Sequence, residues 1–415
     1  FAFNFKHGIM SIRLSEFTVF KGSKHQRRAI RMLGVFILVA LLAPVLANRN
    51  PLMLRIDGKT SFPALSGNPY VELPQENGEW KAVLAADIDW RTFQRGVTLL
   101  APIPYAPADL DPANANFQSP FSKQFLASDT GSIELPLRYR HWLGTTRTGG
   151  DLLSALIHGT RYALLIGFLA ALLSALIGIT LGLFAGYFGD RHFLVHPGSF
   201  ILVLGLFFIA WFEGSFIPGR YGLQASLGWW LLPLIGMLLT LRVRGKKATL
   251  RLPIDTMVRA VMSVFLAVPR LVWIILIGAT LTPSVSLVIL TIGLTGWAEF
   301  TQLTRAETLR LRGSGFEENA RAAGLRDVRI LFRHLLPNFG SLLVLIFFYH
   351  MAGAILAESA LSFLGAGVPH DIVTWGSLLQ EGRQDLQAWW VLVFPGCCLF
   401  LLLNSLQSMR RTTGS

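Results

Sequence analysis

Long apolar stretches separated by short polar ones dominate the chain. Stretches near 31–47, 161–187, 226–242, 257–280, 283–300, 340–357 and 389–408 are each long enough to cross a membrane, and a shorter one lies at 196–213. A hydrocarbon core about 30 Å thick needs roughly 17 to 25 apolar residues per helix, because no backbone polar group can stay unpaired there. The pattern predicts an all-α membrane protein with eight transmembrane helices. Residues 48–155 break it: they are rich in proline and polar residues, carry Trp80, Trp90 and Tyr105, and hold no long apolar stripe. Short strands at Glu79–Leu84 and Gly96–Leu100 are expected in this segment, making it a small ordered lobe. The stretch Pro369–Trp390 reads as amphipathic, with Trp375, Trp389 and Trp390 suited to a membrane interface.

Composition agrees with this class. Of 415 residues, 52% are hydrophobic and only 15% charged, and the mean hydropathy is +0.50. The formal charge of +13 would suggest nucleic acid in a soluble protein, but here the cations flank apolar stretches, where they set orientation. Lys21, Lys24, Arg27, Arg28 and Arg31 precede the first stretch, which predicts a cytoplasmic tail over 1–30, a first helix over 31–47 retained as an anchor, and an outer segment over 48–155. After a helix over 156–190 and a pair of crossings over 191–250, the remaining basic patches also fall on the cytoplasmic side. These are Arg242 to Lys247, Arg305 to Arg333, and Arg410 with Arg411, so both termini are expected inside. Omitting one member of the 191–250 pair would turn the Arg305–Arg333 segment outward, so the parity of the pair is firmer than its form.

The segment from Glu317 to Asn338 carries the most specific signal. It runs Glu317, Glu318, Asn319, Ala320, Arg321, Ala322, Ala323, Gly324, Leu325, Arg326, Asp327, and continues through His334, Leu336 and Pro337. Small residues at Ala320, Ala323 and Gly324 allow another surface to approach the backbone. Glu317 and Glu318 suit a first helical turn, and Gly324 suits its end. The pattern Glu318-x-Ala320-x-x-x-Gly324, then nine residues, then His334-x-Leu336-Pro337, resembles the EAA loop of permeases in binding-protein-dependent ABC importers. Asn319 stands where that family usually has alanine.

Other motifs agree. Gly144, Thr145, Gly149 and Asp151 resemble the Gly-Thr-Asp-x-x-Gly-Arg-Asp signature of the dipeptide and oligopeptide branch, with departures at Thr146 and Gly150. Glu358 to Gly365, Trp375-Gly376 and Glu381-Gly382-Arg383 resemble the same branch. Gly150 and the long outer segment resemble the subgroup that takes up larger peptides and microcin C.

The resemblance covers roughly residues 25–190 and 250–411. It implies a type I importer bundle of six core helices plus two inserted ones, with a core domain over 251–411 and a cytoplasmic coupling loop over 303–339. It also implies a sister permease, two ATPase subunits that bind ATP and Mg, a periplasmic peptide-binding protein, and location in the bacterial inner membrane among its lipids. Importers of nickel chelates or glutathione share the branch, and a membrane scaffold that has lost transport is the rival from another class.

The chain itself has no Gly-x-x-x-x-Gly-Lys-Ser/Thr loop to cradle phosphate, no Gly-x-Ser-x-Gly elbow and no His-Glu-x-x-His. It reads as a non-enzyme that binds no cofactor, metal or nucleic acid. Its two cysteines, Cys397 and Cys398, are adjacent within an apolar stretch, which excludes a disulfide framework. Arg270, inside an apolar stretch, should cost about 2.5 to 3.5 kcal/mol unless it is paired or faces water. Two readings stand: contact with a peptide carboxylate in the path, or, the favoured one, pairing with Glu299 or Glu358. Glu358 is expected to be structural, and His350 a hydrogen-bonded core residue.

Overall fold

In the computed structural model the described residues are 24–190, 194–195, 205–206, 208, 250–312, 322 and 324–409, less short interior stretches at 67, 75–78, 94, 108, 129–130, 279–281 and 370. Helix α1 (Lys24–Leu46) begins seven residues before the expected crossing, so its first turns are built from the basic tail. Its outward stripe of Val35, Leu38, Leu41 and Leu42 is exposed, as a face that meets lipid would be.

The lobe follows. β1 (Met53–Ile56) lies between β2 (Lys59–Ser61) and β5 (Val97–Leu99), both antiparallel to it. β3 (Tyr70–Pro74) pairs antiparallel with β4 (Trp80–Leu84), and β6 (Phe125–Ser128) with β7 (Gly131–Glu134). β4 and β5 fall on the two strands expected from sequence. Leu54, Ile56, Val71, Ala85, Trp90 and Leu100 form the lobe's own small core, and the buried Trp90 indole donates to the carbonyl of Ala85 at 3.1 Å.

The longest helix, α2 (Leu152–Phe188, 37 residues), precedes a two-residue ladder in which Leu194 pairs with Arg251 and Val195 with Leu250. The expected crossings at 196–213 and 226–242 lie outside the described residues. Next come α3 (Ile254–Ala267) and α4 (Arg270–Gly278), which replace the single helix expected over 257–280. They are separated by a break at Val268 and Pro269, where Pro269 cannot donate to the helical ladder. α5 (Val285–Thr295) and α6 (Trp297–Arg312) together form one 28-residue candidate span, apolar in its first part and charged in its last turns. α7 (Asp327–Ile330) passes through a π turn at Leu331–Leu335. Then come α8 (Gly340–Phe363), α9 (Trp375–Gly382) and α10 (Trp389–Ser408). Five helices among the described residues are long and apolar enough to cross a membrane, or up to six if α3 and α4 are one span.

These elements sort into two compact units, Phe1–Ile177 with Val268–Phe300 and Asn338–Ser415, and Gly178–Ala267 with Thr301–Pro337. In the first, Leu33 of α1, Leu152 and Leu156 of α2, Ile355 of α8, Trp375 of α9, and Trp390, Leu399 and Leu402 of α10 make one core. Trp375 and Trp390 are 0% and 6% exposed, which corrects their expected place at a membrane interface. Each buried indole N–H needs an acceptor. Trp375 donates to the carbonyl of Leu156 at 3.0 Å, and Trp390 to that of Thr145 at 3.2 Å. Gly159 makes this possible, since a Cβ there would stand 2.7 Å from the Trp375 ring.

Candidate functional site

The polar segment between α6 and α8 is described at Ala322, which is exposed, and again from Gly324. This residue has φ +77° and nothing within 4 Å of where a Cβ would stand, so the left-handed backbone rather than crowding favours glycine here. Glu317, Glu318, Ala320, Arg321 and Ala323 lie outside the described residues. Arg326 is exposed and takes the N-cap position of α7 without a capping side chain, and Asp327 occupies the first turn. Ile330, Leu331 and Leu335 turn inward and are buried, whereas Val328, Phe332 and Pro337 are exposed and Leu336 is half-buried. The segment is therefore amphipathic, with one anchored face and one open face.

Its anchor is specific. The hydroxyl of Tyr187, near the end of α2, donates to Asp327 Oδ1 at 2.7 Å. Two glycines of α2 one turn apart, Gly182 and Gly186, meet α6. A Cβ on Gly182 would stand 2.7 Å from the Thr301 carbonyl and from Thr304 Cβ, and one on Gly186 would stand 2.8 Å from Thr308 Cβ. This is the small-residue packing by which helices approach closely in lipid, where van der Waals contact must replace a hydrophobic drive. Thr304 and Thr308 are fully buried on the facing side. Arg305 of α6 donates through Nε and Nη2 to the two carboxylate oxygens of Asp255, the second at 2.7 Å. Asp190 accepts from the N–H and hydroxyl of Thr256 at 3.0 and 2.7 Å. The ends of α2 and α6 and the start of α3 are thus tied to one another and to α7.

The signature from Gly144 to Asp151 is a tight turn that starts α2. Gly144 and Gly149 have φ +83° and +85°, and a Cβ on Gly149 would lie 2.0 Å from the Asp111 carbonyl. The fully buried Thr145 donates to the carbonyl of Asn114 at 2.7 Å and accepts from the N–H of Gln118. Asp151 caps the helix, taking the Ser154 N–H on Oδ2 at 2.7 Å, while its Oδ1 lies 2.9 Å from Nδ1 of His141. His141 is fully buried, and Asp111 stands 3.6 Å from its other nitrogen. Burial opposes the charge on His141, but the flanking carboxylates of Asp111 and Asp151 outweigh it and raise its pKa. Asp111 is held below the usual carboxylate range against its own burial, by His141 and then by Asn114. The signature is therefore architecture: it has its acceptors filled from within the chain.

The intramembrane charges do not pair as expected. Arg270, at the first position of α4, donates to the carbonyl of Ile292 at 2.9 Å, and among the described residues it makes no ion pair within 4 Å with Glu299 or Glu358. The reason is spatial: Gly296 and Gly353 leave a slot for the guanidinium, whose Nη2 and Nη1 lie 3.0 and 3.8 Å from where their Cβ atoms would stand. Glu299 Oε2 instead lies 3.0 Å from Nε2 of His350. Glu358 is 1% exposed and accepts from the hydroxyls of Ser362 at 2.8 Å and Ser359 at 3.3 Å, on its own helix.

Residues 248–411 match the family described as binding-protein-dependent transport system inner membrane component. The matched segment takes in the strand Leu250–Arg251 and α3 to α10, and includes Gly324, Asp327 and Pro337 as well as Arg270, Glu299 and Glu358. A protein named as a peptide transport system permease in Brucella suis is 36% identical over 43% of this chain, and the chain spans 61% of its length. The inner membrane ABC transporter permease protein YejE of Escherichia coli K12 is 25% identical over 92% of this chain and 91% of its own. The oligopeptide transport system permease protein OppC of Mycobacterium tuberculosis H37Rv is 28% identical over 66% of this chain and 74% of its own. An inward-facing structure of the MetNI methionine ABC transporter aligns over 60% of this chain and 92% of that one, at 14% identity and a TM-score of 0.34, a likeness too low to carry an argument.

Tyr187, which meets the matched segment at Asp327, lies outside it, and sequence reasoning passed it over. The spacing Gly182-x-x-x-Gly186 within an apolar stretch was the available signal for that end of α2. Nothing local marked His141.

Proposed function

We propose that the chain is the permease subunit of an ATP-binding-cassette importer and forms half of a path for peptides across the bacterial inner membrane. One observation carries this reading: the segment that matches the binding-protein-dependent family contains, between two apolar stretches, an amphipathic polar segment that is anchored on one face and open on the other. Anchored to α2 through Asp327, such a segment is fitted to pass movement from a cytoplasmic ATPase to the membrane helices. The naming of relatives in Brucella suis, Escherichia coli and Mycobacterium tuberculosis as peptide or ABC permeases supports the substrate class.

In this reading the fold is a type I bundle of six core helices plus two inserted ones, with the lobe of residues 48–151 outside and both termini in the cytoplasm. The ladder of Val195 with Leu250 supports an even number of crossings, because it brings the two ends of the intervening segment side by side. A sister permease completes the path and a periplasmic binding protein delivers the peptide. Two ATPase subunits hold ATP and Mg and do all the hydrolysis; their closure moves the segment around Glu318 and Gly324, opens the path outward, and hydrolysis resets it.

The test is affinity purification of the tagged chain from its native membrane, followed by identification of the copurifying subunits and a peptide-uptake assay with and without the chain. Two ATPase subunits, a second permease and loss of peptide uptake on deletion are expected. Copurification without any ATPase would instead indicate a scaffold. Loss of nickel or glutathione uptake alone would move the substrate class.

A further inference from the structure

Three ionisable side chains converge among the apolar helices. Glu299 stands within the candidate span Val285–Arg312, His350 near the middle of Gly340–Phe363, and Arg270 at the first position of α4. From Thr295 to Phe300 every side chain is buried except that of Glu299, which is 49% exposed. His350 is 2% exposed, stacked against Phe300 with ring centroids 4.3 Å apart, and meets Glu299 from behind at 3.0 Å. Arg270 is seated in its glycine slot, held by the Ile292 carbonyl, with a buried Nε that has no hydrogen-bond partner among the described residues.

A purely structural ion pair would bury both members. Here the imidazole is buried and the carboxylate faces outward, with no protein donor on Oε1 among the described residues. Beside His350, near the middle of its own apolar helix, a carboxylate turned to lipid is strongly disfavoured, so its open side must meet water. A helix broken at mid-membrane is also where transport proteins place polar groups against a substrate, because irregular backbone is tolerated there only along a cavity.

We propose that Glu299 lines the aqueous substrate path and receives the ammonium group of a peptide in transit, with His350 and Arg270 as positioning residues behind it. This deepens the peptide-importer reading and rests on it. The chemistry selects a cationic donor, because the exposed group is an acceptor while the donors of Arg270 and His350 lie on the protein side. Those same donors temper the attraction, and a conduit needs its ligand to leave.

The experiment uses the intact importer in its native cells, with expression of each variant followed by immunoblot. Uptake of an alanine tripeptide is compared with that of its N-acetylated form. Glu299→Gln should raise KM for the free-amine peptide about fivefold, a loss of about 1 kcal/mol, and leave the acetylated form within about twofold of wild type. Glu299→Asp should retain most of the discrimination, and His350→Gln should retain more than His350→Ala. Separately, Glu299→Cys with Cys397→Ser and Cys398→Ser should react with a charged, membrane-impermeant methanethiosulfonate.

Equal kinetics for both peptides in wild type and Glu299→Gln, or no labelling of Glu299→Cys, would overturn the inference. If wild type takes up neither peptide, the importer reading loses its substrate class and the ammonium assignment falls with it, while labelling still reports whether the position faces water.

Discussion

Tyr187 and Asp327 are 140 residues apart in the chain and joined by a 2.7 Å hydrogen bond, in which the buried phenol donates to a carboxylate that opens a short helix. Through it the polar segment is fastened to the end of α2 as well as to the helices that flank it in sequence. Such a contact transmits force only if it holds, so its removal should separate the motion of the segment from that of the bundle.

Tyr187→Phe is expected to lower stability by about 1 kcal/mol, because a hydrogen bond to a charged group is lost while the half-buried carboxylate can still find water. Its larger effect should be functional. ATP hydrolysis by the reconstituted importer should persist while peptide uptake falls severalfold, and Asp327→Asn, which keeps an acceptor oxygen, should be milder. Hydrolysis and uptake that remain in wild-type ratio would show that this contact is structural only.

Gly182→Leu should be severely damaging. Even the first carbon of a side chain would stand 2.7 Å from the Thr301 carbonyl and Thr304 Cβ, and backbone cannot swing aside as a flexible side chain can. Gly34→Ala in α1, with nothing within 4 Å, is the control. Size-exclusion profiles in detergent should reveal aggregation for the former and a wild-type peak for the latter.

His141 predicts a pH dependence for the lobe. Its pKa is raised in the folded protein, so the stability it contributes is complete below the unfolded imidazole value of about 6.5 and is lost as pH rises through the raised folded value. Asp111, whose pKa is lowered, contributes stability above its unfolded value of about 3.9 that is lost only on strong acidification. Thermal unfolding should therefore occur at lower temperature at pH 9 than at pH 6, and His141→Asn should flatten the difference. An unchanged slope in His141→Asn would assign the dependence elsewhere.

Gly324→Trp separates insertion from coupling. A non-glycine residue at φ +77° is strained by about 1 to 2 kcal/mol, yet the space around it is open, so the chain should still insert at normal levels. The bulk would stand on the open face of the segment. Hydrolysis without uptake is expected; normal uptake with wild-type hydrolysis would remove this face from the docking surface.

Much of this was legible in the residues alone. Crossing helices announce themselves by length and apolarity, and α10 occupies the very stretch 389–408 expected of it. β4 and β5 were marked by alternation and bounding turn residues, and the segment around Gly324 by its small residues and its resemblance to a known loop. These are local properties: rise per residue, side-chain period and the conformational freedom of glycine act within a few neighbours.

Partner choice is different, because it depends on the distance between elements far apart in the chain. No spacing rule could place Arg270 on the Ile292 carbonyl rather than beside Glu358, since that required the glycine slot made by Gly296 and Gly353. Nor could any rule bury Trp375 and Trp390, whose indoles find the carbonyls of Leu156 and Thr145 more than two hundred residues away. Sequence by itself determined which segments are long and apolar enough to cross a membrane and which one is polar and rich in small residues. Tertiary structure decided which charge looks outward, because only packing determines which neighbours close over a side chain and which face they leave open.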